Sequence, residues 1–240
     1  MTSLNAPLYA SIYHTMLGQI HRKAPRYRDK LPSERELMAE FATTRVTLRI
    51  ALSQLEREGV IYRSNRRGWF VTPPKPVFDP TLRSNFSVLA REQGRVPTTE
   101  ALSAHQSRCR SAAQGAKLGL KRGDPMYQLR RRRSLDGRHV LLENITINGV
   151  GIERLLDQDV SSSLTSIFRD HYNIEVVREE VTINATALSR EQAEQLAVAD
   201  GSYCVAIHRT RYDQNQTAVE YDEELWLHDA IEIRVSTDVC

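Results

Sequence analysis

Four apolar residues, Leu48, Ala51, Leu52 and Leu55, recur at i, i+3, i+4 and i+7 within TTRVTLRIALSQLEREG, residues 43–59. That spacing lines them along one face and predicts an amphipathic helix whose opposite face is polar. Thr43 or Thr44 can cap its start and Gly59 marks its stop. Upstream, Ser33 followed by Glu36 is a capping-box signature, and Leu37, Met38 and Phe41 supply the apolar side of a second, shorter helix. Ile12, Met16, Leu17 and Ile20 predict a third. Only the short ATT segment separates the second helix from the helix of 43–59, the connection length of a helix-turn-helix. After Gly59, Val60–Tyr62 and Trp69–Val71 read as two strands around a basic turn. Three helices and a hairpin predict a winged helix-turn-helix.

Beyond residue 85 the pattern changes to strand-like runs. MYQLRRRRSLDGRHVLLENITI carries Asp136-Gly137, a hairpin signal, between two such runs. Period-two alternation puts Arg131 and Arg133 on one face and Arg130 and Arg132 on the other. Register decides the partner of Glu143: a two-residue turn sets it across from Arg130, and a bulged three-residue turn sets it across from Arg131. Between the two patterns lies PPKPVFDP, whose prolines exclude helix and read as a stiff linker. The expected organisation is a head over 1–73, a linker over 74–84 and a second domain over 85–240.

Charge sharpens this division. Residues 1–75 hold 13 basic and 6 acidic side chains, and the remainder holds 20 and 24, so a head of +7 sits on a body of −4. A basic head on an acidic body is the footprint of a nucleic-acid reader. Arg45 and Arg49 flank the apolar stripe near the start of their helix, with Thr44 and Thr47 beside them, where free amides and the helix dipole also favour an anion. Cys109, Cys204 and Cys240 are widely spaced and the histidines at 14, 21, 105, 139, 171, 208 and 228 show no ligand spacing, so neither a disulfide framework nor a metal site is expected. Phosphate-loop, serine-hydrolase and zinc-protease motifs are absent. No span has the length of a membrane helix and no signal peptide opens the chain, which implies a cytoplasmic location. No cofactor is implied.

KLPSERELMAEFATTRVTLRIALSQLEREGVIYRSNRRGWFVTP (30–73) resembles the winged-helix signature of the GntR family of bacterial transcription regulators. LRRRRSLDGRHVLLE, SSSLTSIFRDHYNI and YCVAIHRTRYDQNQTAVEY resemble the effector-binding UTRA domain of its HutC branch. TTRVTLR, RRGWFVTP, DPTLRSNF, REQGRVPTT and LWLHDAIEI look most like regulators placed with 2-aminoethylphosphonate degradation. The resemblance implies an α+β chain, a winged helix-turn-helix joined to a chorismate-lyase-like antiparallel sheet. It implies a homodimer that binds an imperfect palindromic operator. Arg35, Thr44, Arg45, Thr47 and Arg49 match the family's DNA-contacting positions, with Arg45 suited to a guanine edge and Arg35 to phosphate. Val46 stands where the family often has a hydroxyl and could meet a thymine methyl. At the wing tip Arg66 replaces the usual glycine; with Arg67 it could enter a narrow minor groove, or form a solvated basic turn.

In the second domain, Arg131, Arg133, Glu143 and Ser163 match the family's ligand positions and favour the Arg131–Glu143 register. Two arginines and the helix start at Ser163 suit a phosphate or phosphonate. Glu143 and Glu220 could then take an amine, with Trp226 as a wall, and 2-aminoethylphosphonate has both ends. Without the resemblance, Arg131, Arg133 and Glu143 read as a cross-strand ion-pair ladder. Arg178 is a weaker candidate, and His228-Asp229 reads as a hydrogen-bonded turn. Other ligands for the same kind of regulator are a sugar phosphate or a histidine-pathway metabolite; behind these stands a chorismate-lyase-like enzyme.

Overall fold

The computed structural model describes residues 7–22, 29–64, 67–82 and 85–237. They divide into two compact units, Met1–Lys75 and Pro76–Cys240.

The first unit is built from helices α1 (Leu8–Arg22), α2 (Glu34–Glu40) and α3 (Arg45–Arg57) and strands β1 (Ile61–Ser64) and β2 (Gly68–Val71). Local chemistry sets each boundary. Ser33 Oγ accepts from the Glu36 amide at 3.3 Å while Glu36 Oε2 accepts from the Ser33 amide at 2.7 Å, so the capping box closes reciprocally. Thr44 caps α3 by accepting from the Thr47 amide at 3.3 Å. At its other end Gly59 takes φ 70°, and the Gly59 and Val60 amides donate to Glu56 O and Leu55 O, each at 2.9 Å. This glycine-dependent left-handed stop satisfies two carbonyls that a continuing helix would have used. Leu48, Ala51, Leu52 and Leu55 are fully buried, against Ile12, Met16 and Ile20 of α1 and Leu37 of α2. Each such leucine contributes about 1.5–3 kcal/mol of burial. β1 and β2 pair from Ile61↔Val71 to Ser64↔Gly68, the expected wing hairpin. Arg66 lies outside the described residues.

The second unit is a six-stranded antiparallel sheet in the order β4-β5-β6-β9-β8-β7, made of β4 (Pro97–Arg108), β5 (Pro125–Leu135), β6 (Arg138–Asn148), β7 (Val176–Ala187), β8 (Tyr203–Asp213) and β9 (Ala218–Leu227). A short parallel pair, β3 (Val77–Phe78) with β10 (Glu232–Ile233), lies apart from it. Helices α4 (Phe86–Glu92), α5 (Ala112–Gly115), α6 (Leu164–Tyr172) and α7 (Arg190–Leu196) complete the unit. The segment expected as linker over 74–84 is thus not linker throughout: Val77 and Phe78 are a strand of the second unit, with Phe78 in its core. The prolines leave this pairing intact because Pro76 and Pro80 flank the two-residue strand and do not occupy it.

The β5–β6 hairpin turns on two residues, Asp136 and Gly137, at φ 53° and 79°. Ser134 pairs with His139 but Arg133 pairs with Leu141, so Val140 is an extra residue that shifts the remaining ladder by one. Glu143 therefore sits opposite Arg131, the register expected for a bulged hairpin. The bulge is in the strand, however, and not in the turn.

Candidate functional site

On the head, the cap places the side chains of Arg45, Val46 and Arg49 on the outer surface of α3. Val46 is 71 % exposed and Ile50, one turn on, is 45 % exposed, an apolar strip between charged residues that no core covers. Arg35 is exposed on α2, and Thr44 and Thr47 share a hydroxyl contact of 3.1 Å at the helix start. Glu34 ties these parts together: its Oε2 accepts from Arg49 Nε at 3.1 Å and lies 3.9 Å from Arg45 Nε, while its Oε1 accepts from Trp69 Nε1 of the wing at 3.4 Å. Burial alone would raise the Glu34 carboxyl's pKa, but the Arg49 and Trp69 hydrogen bonds outweigh it and hold it below the usual range. In the wing, Arg67 lies over Phe70 at 5.4 Å and Arg63 over Trp69 at 5.9 Å. Glu34 and Arg63 are the residues of this surface that sequence reasoning passed over.

In the second unit, one face of the sheet carries a row of charge between two apolar clusters. Below it Leu129, Ile145 and Ile147 pack on α6 through Leu164, Ile167 and Phe168. Above it Leu141, Trp226 and Ile207 pack with Phe78 and Ala90. Between these clusters Arg131 and Arg133, Glu143, Glu220, Asp222 and Glu224, Arg209 and Arg211, and Glu179 come from five adjacent strands and line a cavity of about 1020 Å³. Ser161–Ser166, Asn85 and Phe86 form part of its other side. Arg130 and Arg132 point the opposite way, as alternation requires, to Glu191 and Gln195 of α7.

The bonds within the row separate the two candidate arginines. Arg131, 3 % exposed, donates through Nε to Glu143 at 2.7 Å and through Nη1 to the Val160 and Ser162 carbonyls at 3.2 and 3.1 Å. It holds the segment leading into α6 against the sheet. Arg133 Nε lies 2.7 Å from the same Glu143 Oε2 and its guanidinium is 4.8 Å from the Phe86 ring. Among the described residues its two terminal nitrogens have no hydrogen-bond acceptor. Ser163 caps α6, accepting from the Ser166 amide at 3.4 Å, so the first amides of that helix face the same cavity without helical acceptors. Burial would raise the Glu143 carboxyl, yet Arg131 and Arg133 outweigh it and hold its pKa down to about 2.

Three of the expected ligand residues already hold partners of their own. Glu143 holds Arg131 and Arg133 through Oε2, which commits that oxygen to the two guanidiniums. Glu220 pairs through Oε1 with Arg211, which leaves only its Oε2 without a partner. Trp226 is buried and lines the cavity, but its Nε1 is taken by Glu224 at 2.9 Å. The ion-pair ladder and the cavity are therefore the same structure. Arg178 is exposed and pairs with Glu180 and lies over Tyr212. Asp229 is buried on Arg138 at 2.7 Å.

Sequence reasoning missed Arg209, Arg211, Glu179, Asp222 and Glu224. Arg209 bridges Glu224 and Glu179, each at 2.9 Å, and Arg211 bridges Glu179 and Glu220. The signal was charge at alternate positions in IHRTRYD and VEYDEELW. Among the described residues no group of His, Cys, Asp or Glu could hold a metal ion, and no helix is long and apolar enough to cross a membrane.

Comparison with known proteins covers both units. Residues 8–71 match the bacterial regulatory proteins of the gntR family, and residues 92–232 match the UTRA domain. The uncharacterized HTH-type transcriptional regulator YihL of Escherichia coli K12 is 28 % identical over 207 residues, 86 % of this chain and 88 % of that protein. The probable transcriptional regulator PhnF of the same organism is 27 % identical over 217 residues, 90 % of each chain. The crystal structure of PhnF from Mycobacterium smegmatis superposes with a TM-score of 0.67 at 23 % identity, covering 95 % of this chain and all of that one.

Proposed function

Since the chain belongs to the GntR family of bacterial regulatory proteins and carries a UTRA domain, making it a DNA-binding transcriptional regulator with an effector-binding domain, we propose that it binds its operator as a homodimer and responds to a small phosphonate. The observation that carries the ligand class is Arg133: a buried guanidinium whose terminal nitrogens are free among the described residues, facing a cavity that the amide end of α6 also lines. A fork of donors and a helix N-terminus together match an oxyanion such as a phosphonate better than a neutral sugar. Arg131 then acts by positioning, since it anchors the Val160–Ser162 segment that presents α6. The resemblance to 2-aminoethylphosphonate regulators and the likeness to the two PhnF regulators support phosphonate over other anions.

On the DNA side, Arg45 reads a base in each half of an imperfect palindrome, Arg35 and the Thr44–Thr47 hydroxyls hold phosphate, and the Arg67 wing lies along the minor groove. The reading is tested by calorimetric titration of the full chain with 2-aminoethylphosphonate, ethylphosphonate and inorganic phosphate, followed by mobility shifts on selected operator DNA with and without the binding compound. Arg133→Ala is expected to lose phosphonate binding by a factor of about 30 or more, as when one partner of a buried charge-assisted contact is removed. Failure of the unaltered protein to bind any of the three refutes the ligand class, and binding that leaves operator affinity unchanged refutes the regulatory link.

A further inference from the structure

The charged row holds five carboxylates, Glu143, Glu179, Glu220, Asp222 and Glu224, and four guanidiniums, Arg131, Arg133, Arg209 and Arg211. Four of the carboxylates lie within ion-pair distance of an arginine. Asp222 is the exception: among the described residues it has no ion-pair partner, its Oδ1 accepts no hydrogen bond, and it is 1 % exposed while lining the cavity. On the next inward position of the same strand Glu220, 0 % exposed, has Oε2 equally without a donor. A buried carboxylate oxygen without a donor is costly, and a donor group entering the cavity relieves that cost.

We propose that Asp222, helped by Glu220 Oε2, is the seat for a cationic group of the effector, which makes that effector zwitterionic. The inference rests on the phosphonate reading and deepens it, because Arg133 stands two strands away from Asp222 and lies across from Trp226, four residues further along β9, which puts the two backbones roughly 16 Å apart. One small molecule then meets an anion seat and a cation seat at separate points of one cavity. The surroundings suit a cation that is absent in the empty state. Burial pushes the Asp222 carboxyl's pKa well above its ordinary value, and the neighbouring Glu143, Glu224 and Glu220 push it further; Arg211 opposes them. Arg209, opposite Asp222 on β8, is engaged by Glu224 and Glu179. Arg91 of α4 and Arg169 of α6 are the basic groups that line the cavity from the elements packed over this face. An ammonium gives Asp222 the counter-charge the row lacks.

The test compares 2-aminoethylphosphonate with ethylphosphonate, which differ by the ammonium, on the full-length protein. The unaltered protein is expected to prefer the amine by about tenfold or more, the value of a charged hydrogen bond in a buried site. Asp222→Asn keeps the shape and is expected to abolish that preference while changing ethylphosphonate affinity less than about twofold. Its melting temperature at pH 8 should not fall, since the variant removes an unpaired buried carboxyl; a structural ion-pair member would lose stability. Should the variant not fold, the unaltered protein carries the test through the ratio of its affinities for the two compounds, which should favour the amine by about tenfold or more. Equal affinities in the unaltered protein, or an unchanged ratio in Asp222→Asn, overturn the cation seat while leaving the anion seat in place. Binding of neither compound overturns the phosphonate reading and the cation seat with it.

Discussion

Glu143 faces Arg131 across the β5–β6 ladder, and its Oε2 accepts from Arg131 Nε at 2.7 Å. With Arg133 Nε at the same distance, one carboxylate oxygen is shared by two buried guanidiniums. Replacing that carboxylate by an amide leaves two buried cations without their counter-charge, and breaking a buried pair from one side typically costs about 3–5 kcal/mol. Glu143→Gln should therefore lower the stability of the full chain by about that much at pH 7.

The pH dependence follows from the same contact. The Glu143 carboxyl titrates near 2 in the folded chain against an ordinary 4.5, so its contribution is fully present above about 4.5 and is lost as pH falls through 2. Asp222 has the opposite sign. Its raised value gives a contribution present below 3.8 and lost as pH rises through the folded value. Urea melts of the unaltered chain and of Glu143→Gln should diverge at pH 7 and converge toward pH 2. A difference that stays constant with pH would show that the carboxylate charge is not what stabilises the pair.

The head makes a different prediction, because Glu34 puts a negative charge beside the arginines that would meet DNA. Its hydrogen bonds to Arg49 and Trp69 link α2, α3 and the wing. Glu34→Gln should raise affinity for random DNA, since one repulsive charge near the phosphates is gone. It should also lower the ratio of specific to random binding, because Arg49 loses its charged tether. By contrast Arg45→Ala should cost about 1–3 kcal/mol and relax one base position, and Arg35→Ala should weaken all sequences evenly. Mobility shifts over an operator library separate these cases. An unchanged specificity ratio in Glu34→Gln would confine that residue to a packing role.

The head was legible in the sequence because its signals are local. The Ser33–Glu36 box, the Thr44 cap, Gly59 and the stripe from Leu48 to Leu55 each act within a few residues. The cavity was legible only in part. Arg131, Arg133, Glu143 and Ser163 were found through a resemblance and a turn, but their division of labour depends on where Val160, Ser162 and Phe86 come to rest. Arg209, Arg211, Asp222 and Glu224 alternate in the chain as solvent-facing positions of a one-sided sheet do. Only the pairing of β6 with β9, distant in sequence, places them in one row with Arg131. Nor did the prolines around Val77 announce a strand, since its partner Glu232–Ile233 is far along the chain.

That strand leads to the last prediction. β3 follows directly on the proline segment that leaves the head, and it is held from two sides. Its backbone pairs with β10, and Gln93 brackets Val77, with Oε1 accepting from the Val77 amide and Nε2 donating to its carbonyl, both at 2.8 Å. Phe78 lies under the Arg209 guanidinium at 5.2 Å, and Phe86, a short way along the chain, lies under Arg133 at 4.8 Å. The charged row thus touches the segment that continues into the head, so a ligand that moves Arg133 or Arg209 has a packed path to it. Gln93→Ala should free one side of β3 without touching either binding surface. Effector and operator affinities measured separately should stay within about twofold, while the effector-induced change in operator affinity, typically about 5- to 150-fold, should shrink. Replacing Pro73–Pro76 by Gly and Ser should weaken coupling in the same way, because a flexible tether transmits no displacement. If both variants keep the full effector-induced change, β3 and the proline segment are passive and the signal takes another route.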